Sequence, residues 1–230
     1  MTKIAILQSN YIPWKGVFDM INQVDTFVFF EDVDYTNRDW RTRNKIRTSG
    51  ESKWLTVPVK KMPRGTKIFD IEIANDGKWQ KKHKATILQS YSKSKYFNEY
   101  KWILDEIYDV TWTSLSEFNM HTTQLLCKVM GIKCEFLNSK DIESIGYKDD
   151  KLISICKSLN ATSYLSGPAA KDYIDNEKFK KSNIKLEYID YTNYQEYEQC
   201  FDGFEHYVSV LDLIFNCGQD AKKYIEEKLQ

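Results

Sequence analysis

Apolar and polar positions change period several times along the chain. Residues 3–7 (KIAIL) form an unbroken apolar run, the pattern of a strand buried on both faces. At residues 17–24, Val17, Met20, Ile21 and Val24 recur at helical spacing. Asp25 then precedes a second apolar run at residues 26–30. Strand, helix and strand in that order predict a parallel β-α-β unit.

The pattern then shifts. Residues 44–48 and 53–57 flank the turn residues Ser49, Gly50 and Glu51, which predicts a β-hairpin. Residues 69–73 alternate apolar and polar positions and predict one more strand. Residues 78–130 read as largely helical, in three helices broken near residues 92–94 and 110–113. The α/β alternation resumes with a strand at 134–137, a helix at 149–159 and a strand at 163–165. Helical turns at 169–174, a strand at 185–190 and a core helix at 206–215 complete it. The expected fold class is α/β, a Rossmann-like and mostly parallel sheet in a single domain over residues 1–230. The hairpin and helical region, about residues 40–130, is expected as an insertion.

Composition narrows the classes of function. A hydrophobic content of 42% in 230 residues suffices for a sizeable core. The 33 basic and 33 acidic residues cancel, so no global field draws in nucleic acid, and DNA is not an expected partner. No stretch approaches the about 18 apolar residues of a membrane span. The N-terminal apolar run is too short for a signal peptide. A cytoplasmic protein is therefore expected, with its oligomeric state left open. Cys127, Cys134, Cys156, Cys200 and Cys217 form no C-x-x-C pair, so free thiols are expected and no metal site. Fifteen Tyr and six Trp suit a core, or a cleft that stacks on sugars or bases.

Five segments carry candidate chemistry. The loop at residues 8–16 follows the first strand, where open α/β sheets bind ligands. Gln8, Asn10 and Tyr11 supply hydrogen-bonding groups there, and Trp14 a flat apolar surface. Residues 31–45 follow the second strand. Arg38, Arg41, Arg43 and Lys45 suit a pyrophosphate, with Asn37, Trp40 and Asn44 among them. Asp32 or Asp34 is placed to act as a base, bind an amine or hold a metal. His83, on a basic helix start with Trp79 one turn before it, is a candidate acid–base residue or a surface histidine. Tyr164, Ser166 and Gly167 mark another strand end, with Ser166 and Gly167 offering a hydroxyl and backbone N–H groups to an anion, or simply capping a helix. Asp212 and Asn216, four apart on the last helix, either support a site from behind or pack the core.

Together these segments resemble the WbqC-like protein family. The matching stretches are QSNYIPWKGVFD, DTFVFFEDVDYTNRDWRTRNKI, KWLTVPV, WQKKHKATI, ATSYLSGPAAKDYID and SVLDLIFNCG, in order along nearly the whole chain. The resemblance implies a step of bacterial surface polysaccharide or O-antigen biosynthesis on a nucleotide-linked sugar, often an amino sugar. It suggests transfer of an acyl or aminoacyl group to the sugar amine. On that reading Arg38, Arg41, Asn44 and Lys45 hold the pyrophosphate, and Tyr11 and Trp14 line the sugar or base pocket. Asp32 or His83 takes the amine proton, while Ser166 and Gly167 stabilise the oxyanion. The donor would be an acyl or aminoacyl thioester or an aminoacyl-tRNA, with no tightly bound cofactor. The rival readings are an ATP-dependent ligase or nucleotidyltransferase, and a non-catalytic nucleotide-sugar binding or assembly protein. The family motif usually begins His-Gln-Pro-Asn-Tyr. Here Leu7 and Ser9 replace its His and Pro, which shifts the expected proton chemistry toward Asp32 and His83.

Overall fold

The computed structural model describes residues 2–228. Strand β1 (Lys3–Leu7) leads through a seven-residue loop into helix α1 (Lys15–Asn22) and strand β2 (Thr26–Phe29). A hairpin follows, β3 (Arg43–Ile46) and β4 (Lys53–Thr56), then helices α2 (Trp79–Tyr91), α3 (Phe97–Tyr100), α4 (Trp102–Tyr108) and α5 (Leu115–Val129). The α/β alternation returns with β5 (Glu135–Asn138), α6 (Asp149–Ser158), β6 (Ser163–Ser166), α7 (Asn176–Lys181) and β7 (Lys185–Tyr188). Helices α8 (Val210–Cys217) and α9 (Lys223–Glu226) end the described chain.

The main sheet is parallel throughout, in the order β5-β2-β1-β6-β7. The sequence alternation sorts its two faces. Ile4, Ile6 and Val28 point into one cluster with Ile153, Tyr164 and Phe179 of the α6–α7 side. Ala5, Phe27 and Phe29 point into the other, with Phe18 and Ile21 of α1, Phe118 of α5 and Phe215 of α8. Both faces are thus covered, which is why β1 and β2 read as continuous apolar runs.

The hairpin and α2–α5 enter the chain between β2 and β5, two neighbours in the sheet. Their Tyr91, Phe97, Leu104 and Ile107 join the same cluster as Phe29 and Phe215, so this region shares the core of the sheet. Residues 69–73 are not the expected strand. Ile68–Asp70 forms a 3-10 turn, and the amides nearby go to separate partners. Ile68 donates to Val33, Phe69 to Glu31 and Ile73 to Thr113, too scattered for a ladder. The helical turns expected at 169–174 are a 3-10 turn at Pro168–Asp172, and α7 is a separate helix capped by the Asp175 carboxylate. Among the described residues, no helix is long and apolar enough to cross a membrane.

Candidate ligand cleft between β1 and β6

The strand order reverses at β1: β2 lies on one side of it and β6 on the other. Chain leaving the carboxyl ends of such a pair diverges and leaves a crevice. A cleft of about 460 Å³ occupies that place, within the usual range for small-molecule sites. Leu7, Gln8, Asn10, Pro13, Trp14, Val17 and Met20 line it from the β1–α1 side. Gly167, Pro168 and Ala169 line it from the end of β6, Trp40, Arg41 and Asn44 from the approach to the hairpin, and Tyr191 and Tyr207 from the segment after β7. A larger hollow of about 710 Å³ runs beside the edge strand β5, with Asp141 and Glu143 as its charged groups. None of its lining residues belongs to the loops that follow β1 and β6.

The loop after β1 is held from several directions. The Tyr11 amide donates to the Trp40 carbonyl at 2.9 Å, and Val210 donates to the Pro13 carbonyl at 2.8 Å. The Asn44 amide donates to the Ile12 carbonyl at 2.8 Å. Ile12 has φ 35°, a left-handed conformation that a β-branched residue adopts only under constraint. The Trp14 ring lies edge-on to Tyr191 with centroids 5.0 Å apart, and 5.4 Å from Tyr207. It also lies directly over Gly16, where a Cβ would come within 2.3 Å of the indole. Only glycine permits this wall.

Arg41 is the one permanently charged group in the lining. Its guanidinium reaches the Gln8 side-chain oxygen, the Asp39 carboxylate and the Thr36 hydroxyl. Behind it lies Glu31, a fully buried carboxylate that the sequence reading overlooked. Glu31 accepts from the Ser9 amide at 2.8 Å and the Ser9 hydroxyl at 3.0 Å. Burial pushes its carboxyl above the usual range, opposed by hydrogen bonds from Ser116 and Ser9 and by the Arg41 charge. Ser9 thus has a specific partner. A proline at this position could offer Glu31 neither donor.

The structure brings Gln8, Asn10, Trp14, Arg41, Asn44 and Gly167 together in the lining, and places the other expected residues elsewhere. Tyr11 is fully buried, its hydroxyl 2.8 Å from His83 Nδ1 and 2.6 Å from the Tyr108 hydroxyl. His83 is 4% exposed, so it is neither a surface histidine nor part of the cleft wall. Burial lowers its pKa to about 4, helped by the Lys82 charge and opposed by a hydrogen bond to the Thr56 backbone. Asp32 bonds the Ser139 hydroxyl at 2.5 Å and pairs with Lys151, outside the lining. Asn37 and Arg38 are exposed on the preceding turn. Lys45 lies against Trp54 of the hairpin. Tyr164 stacks on Phe179 at 5.6 Å in the α6–α7 cluster, and Ser166 is buried beside the Tyr164 hydroxyl. Asp212 is fully buried, accepting from Tyr197, Gln199 and Asn216.

Tyr191 and Tyr207 were missed. Their only signal was a run of aromatic residues between positions 191 and 207, spaced three or four apart like a helix face, in a stretch that forms no helix. Chemically, the wall combines one cation, three amides and four aromatic rings. Its titratable side chains are Arg41, Tyr191 and Tyr207. That set suits a polyhydroxylated or anionic ligand and supplies no carboxylate, imidazole or amine.

The model of the WbqC-like protein family matches residues 8–224. The chain is 38% identical over 226 residues to the uncharacterized protein Rv1507c of Mycobacterium tuberculosis (strain ATCC 25618 / H37Rv), covering 98% of each chain. No solved structure matches it.

Proposed function

The chain belongs to the WbqC-like protein family, and from that and the cleft we propose that it binds a nucleotide-linked sugar in bacterial polysaccharide biosynthesis. Family membership supports the pathway. The cleft supports the ligand, and the observation that carries it is the single cation Arg41 among the amides of Gln8, Asn10 and Asn44 and the rings of Trp14, Trp40, Tyr191 and Tyr207. Amides match sugar hydroxyls, rings match the apolar faces of sugars, and a guanidinium matches a phosphate.

The reaction proposed for this complex is transfer of an acyl or aminoacyl group from a thioester or aminoacyl-tRNA ester to an amine of the sugar: the C–S or C–O bond breaks as the C–N bond forms, and the departing thiolate or alkoxide takes the amine proton. The lining offers no base of its own, so the acceptor amine would arrive unprotonated and the protein would act by positioning it. That same lack of a base favours the second reading, a binding protein without a catalytic step.

Nucleotide-sugars screened by thermal shift test the binding, because a ligand of the native state raises its melting temperature. At least one amino-sugar nucleotide is expected to do so, and Arg41→Gln to abolish the shift. Asp32→Asn and His83→Gln are expected to keep it, since both residues lie outside the wall. A panel that leaves the melting temperature unchanged removes the proposal. Mass spectrometry of the best binder with acyl and aminoacyl donors separates the two readings.

A further inference from the structure

Beside the cleft mouth, strand alternation sorts the hairpin. Asn44, Ile46, Leu55 and Val57 turn inward and are buried. Arg43, Lys45 and Trp54 share the outer face, with Lys45 directly opposite Trp54 in the register. The Arg43 guanidinium carbon lies 4.4 Å from the Trp54 ring centroid, and Lys45 Nζ lies 5.4 Å from it. Trp40 adds a second indole, its centroid 5.5 Å from that of Trp54. Trp40 remains 49% exposed and Trp54 39%, so ring surface stays open after the cations have stacked.

Two exposed tryptophans side by side are unusual unless something covers them. The ion pairs of this stretch join Arg41 to Asp39, Asp34 to Lys67 and Asp32 to Lys151. Among the described residues, Arg43 and Lys45 have no carboxylate partner, and Arg43 Nε is buried without a hydrogen bond. Trp40 belongs to both this face and the cleft wall, and Arg41 follows it directly. We propose that the Trp40–Trp54 face with Arg43 and Lys45 is the nucleoside diphosphate subsite, holding the base and the anionic linker while the sugar enters the cleft. The proposal rests on the cleft being a sugar-nucleotide site. It adds where each part lies: planar base on indole, diphosphate on Arg43, Lys45 and the neighbouring Arg41, sugar among the amides.

Tryptophan fluorescence and calorimetry test it, with uridine, thymidine, guanosine and cytidine 5′-diphosphates, their sugar conjugates and a sugar 1-phosphate as probes. One free nucleoside diphosphate is expected to bind and quench the fluorescence. Trp54→Ala, and separately Arg43→Gln with Lys45→Gln, are expected to weaken it at least tenfold and leave sugar 1-phosphate binding unchanged. Trp54 is exposed and Arg43 and Lys45 are half-buried, so circular dichroism checks that each variant folds. If both variants bind the sugar nucleotide as tightly as the parent chain, the subsite is wrong and the cleft reading survives. Nucleoside diphosphate binding that is lost on Trp54→Ala, with no sugar conjugate or sugar phosphate bound, supports the subsite and removes the cleft reading. Binding of no probe removes both.

Discussion

The side-chain amide of Asn44 donates to the carbonyl of Ile12 across 2.8 Å, and Ile12 is the residue of the cleft loop held at φ 35°. The Asn44 oxygen meanwhile accepts from the Lys45 amide at 2.8 Å. A hairpin residue therefore clamps a strained turn in the β1–α1 loop, and the clamp joins two walls of one cleft.

Removing that clamp leaves a buried carbonyl unpaired beside a strained residue. Asn44→Ala is expected to lower unfolding free energy by about 2 kcal/mol, measured by urea denaturation. Asn44→Asp keeps the acceptor for Lys45 but loses the donor, and is expected to be at least as damaging. Ligand affinity should fall along with stability. An unchanged denaturation midpoint in both variants would show that the loop holds its shape without Asn44.

His83 gives a pH dependence with a definite sign. Its pKa is about 4 in the folded chain, below its ordinary value of 6.5. Between those values the unfolded chain binds the extra proton, so acid favours unfolding. The contribution is complete above pH 6.5, declines as pH falls and levels off below about pH 4. The amplitude is about 3 kcal/mol. Unfolding free energies of the parent chain and His83→Gln, compared from pH 8 to pH 4, isolate this part. A difference that does not vary with pH would contradict the buried, neutral imidazole.

Ser9 and Glu31 make the third test. Ser9→Pro removes an amide and a hydroxyl from a buried carboxylate, and the expected loss is about 3 kcal/mol. Glu31→Met in the Ser9→Pro background removes the stranded charge and is expected to recover part of the loss. Calorimetric melting of the two variants measures it. If Ser9→Pro melts with the parent chain, the two hydrogen bonds carry no net stability.

Strands β1 and β2 were legible because burial on both faces leaves an uninterrupted apolar run, a purely local signature. The hairpin was legible because its turn residues and alternation lie within fifteen positions. Tyr11 and His83 were misread for a definite reason. A tyrosine in a polar loop and a histidine on a lysine-rich helix look alike in sequence whether they face solvent or each other. Only the packing of α2 and α4 against the loop lets Tyr11, His83 and Tyr108 satisfy one another in the core. Residues 69–73 alternate like a strand, yet their amides find four different partners.

The chain's local patterns were enough for the α/β class, and they singled out the segments that carry Trp14 and Arg41 into the cleft lining. They could not decide the cleft wall, which gathers Leu7, Arg41, Gly167 and Tyr207 from four distant stretches. Those stretches become neighbours because β6 pairs with β1 on the side opposite β2. That pairing joins residues about 160 positions apart. It depends on burying both faces of the whole sheet at once, a non-local condition that no local period records.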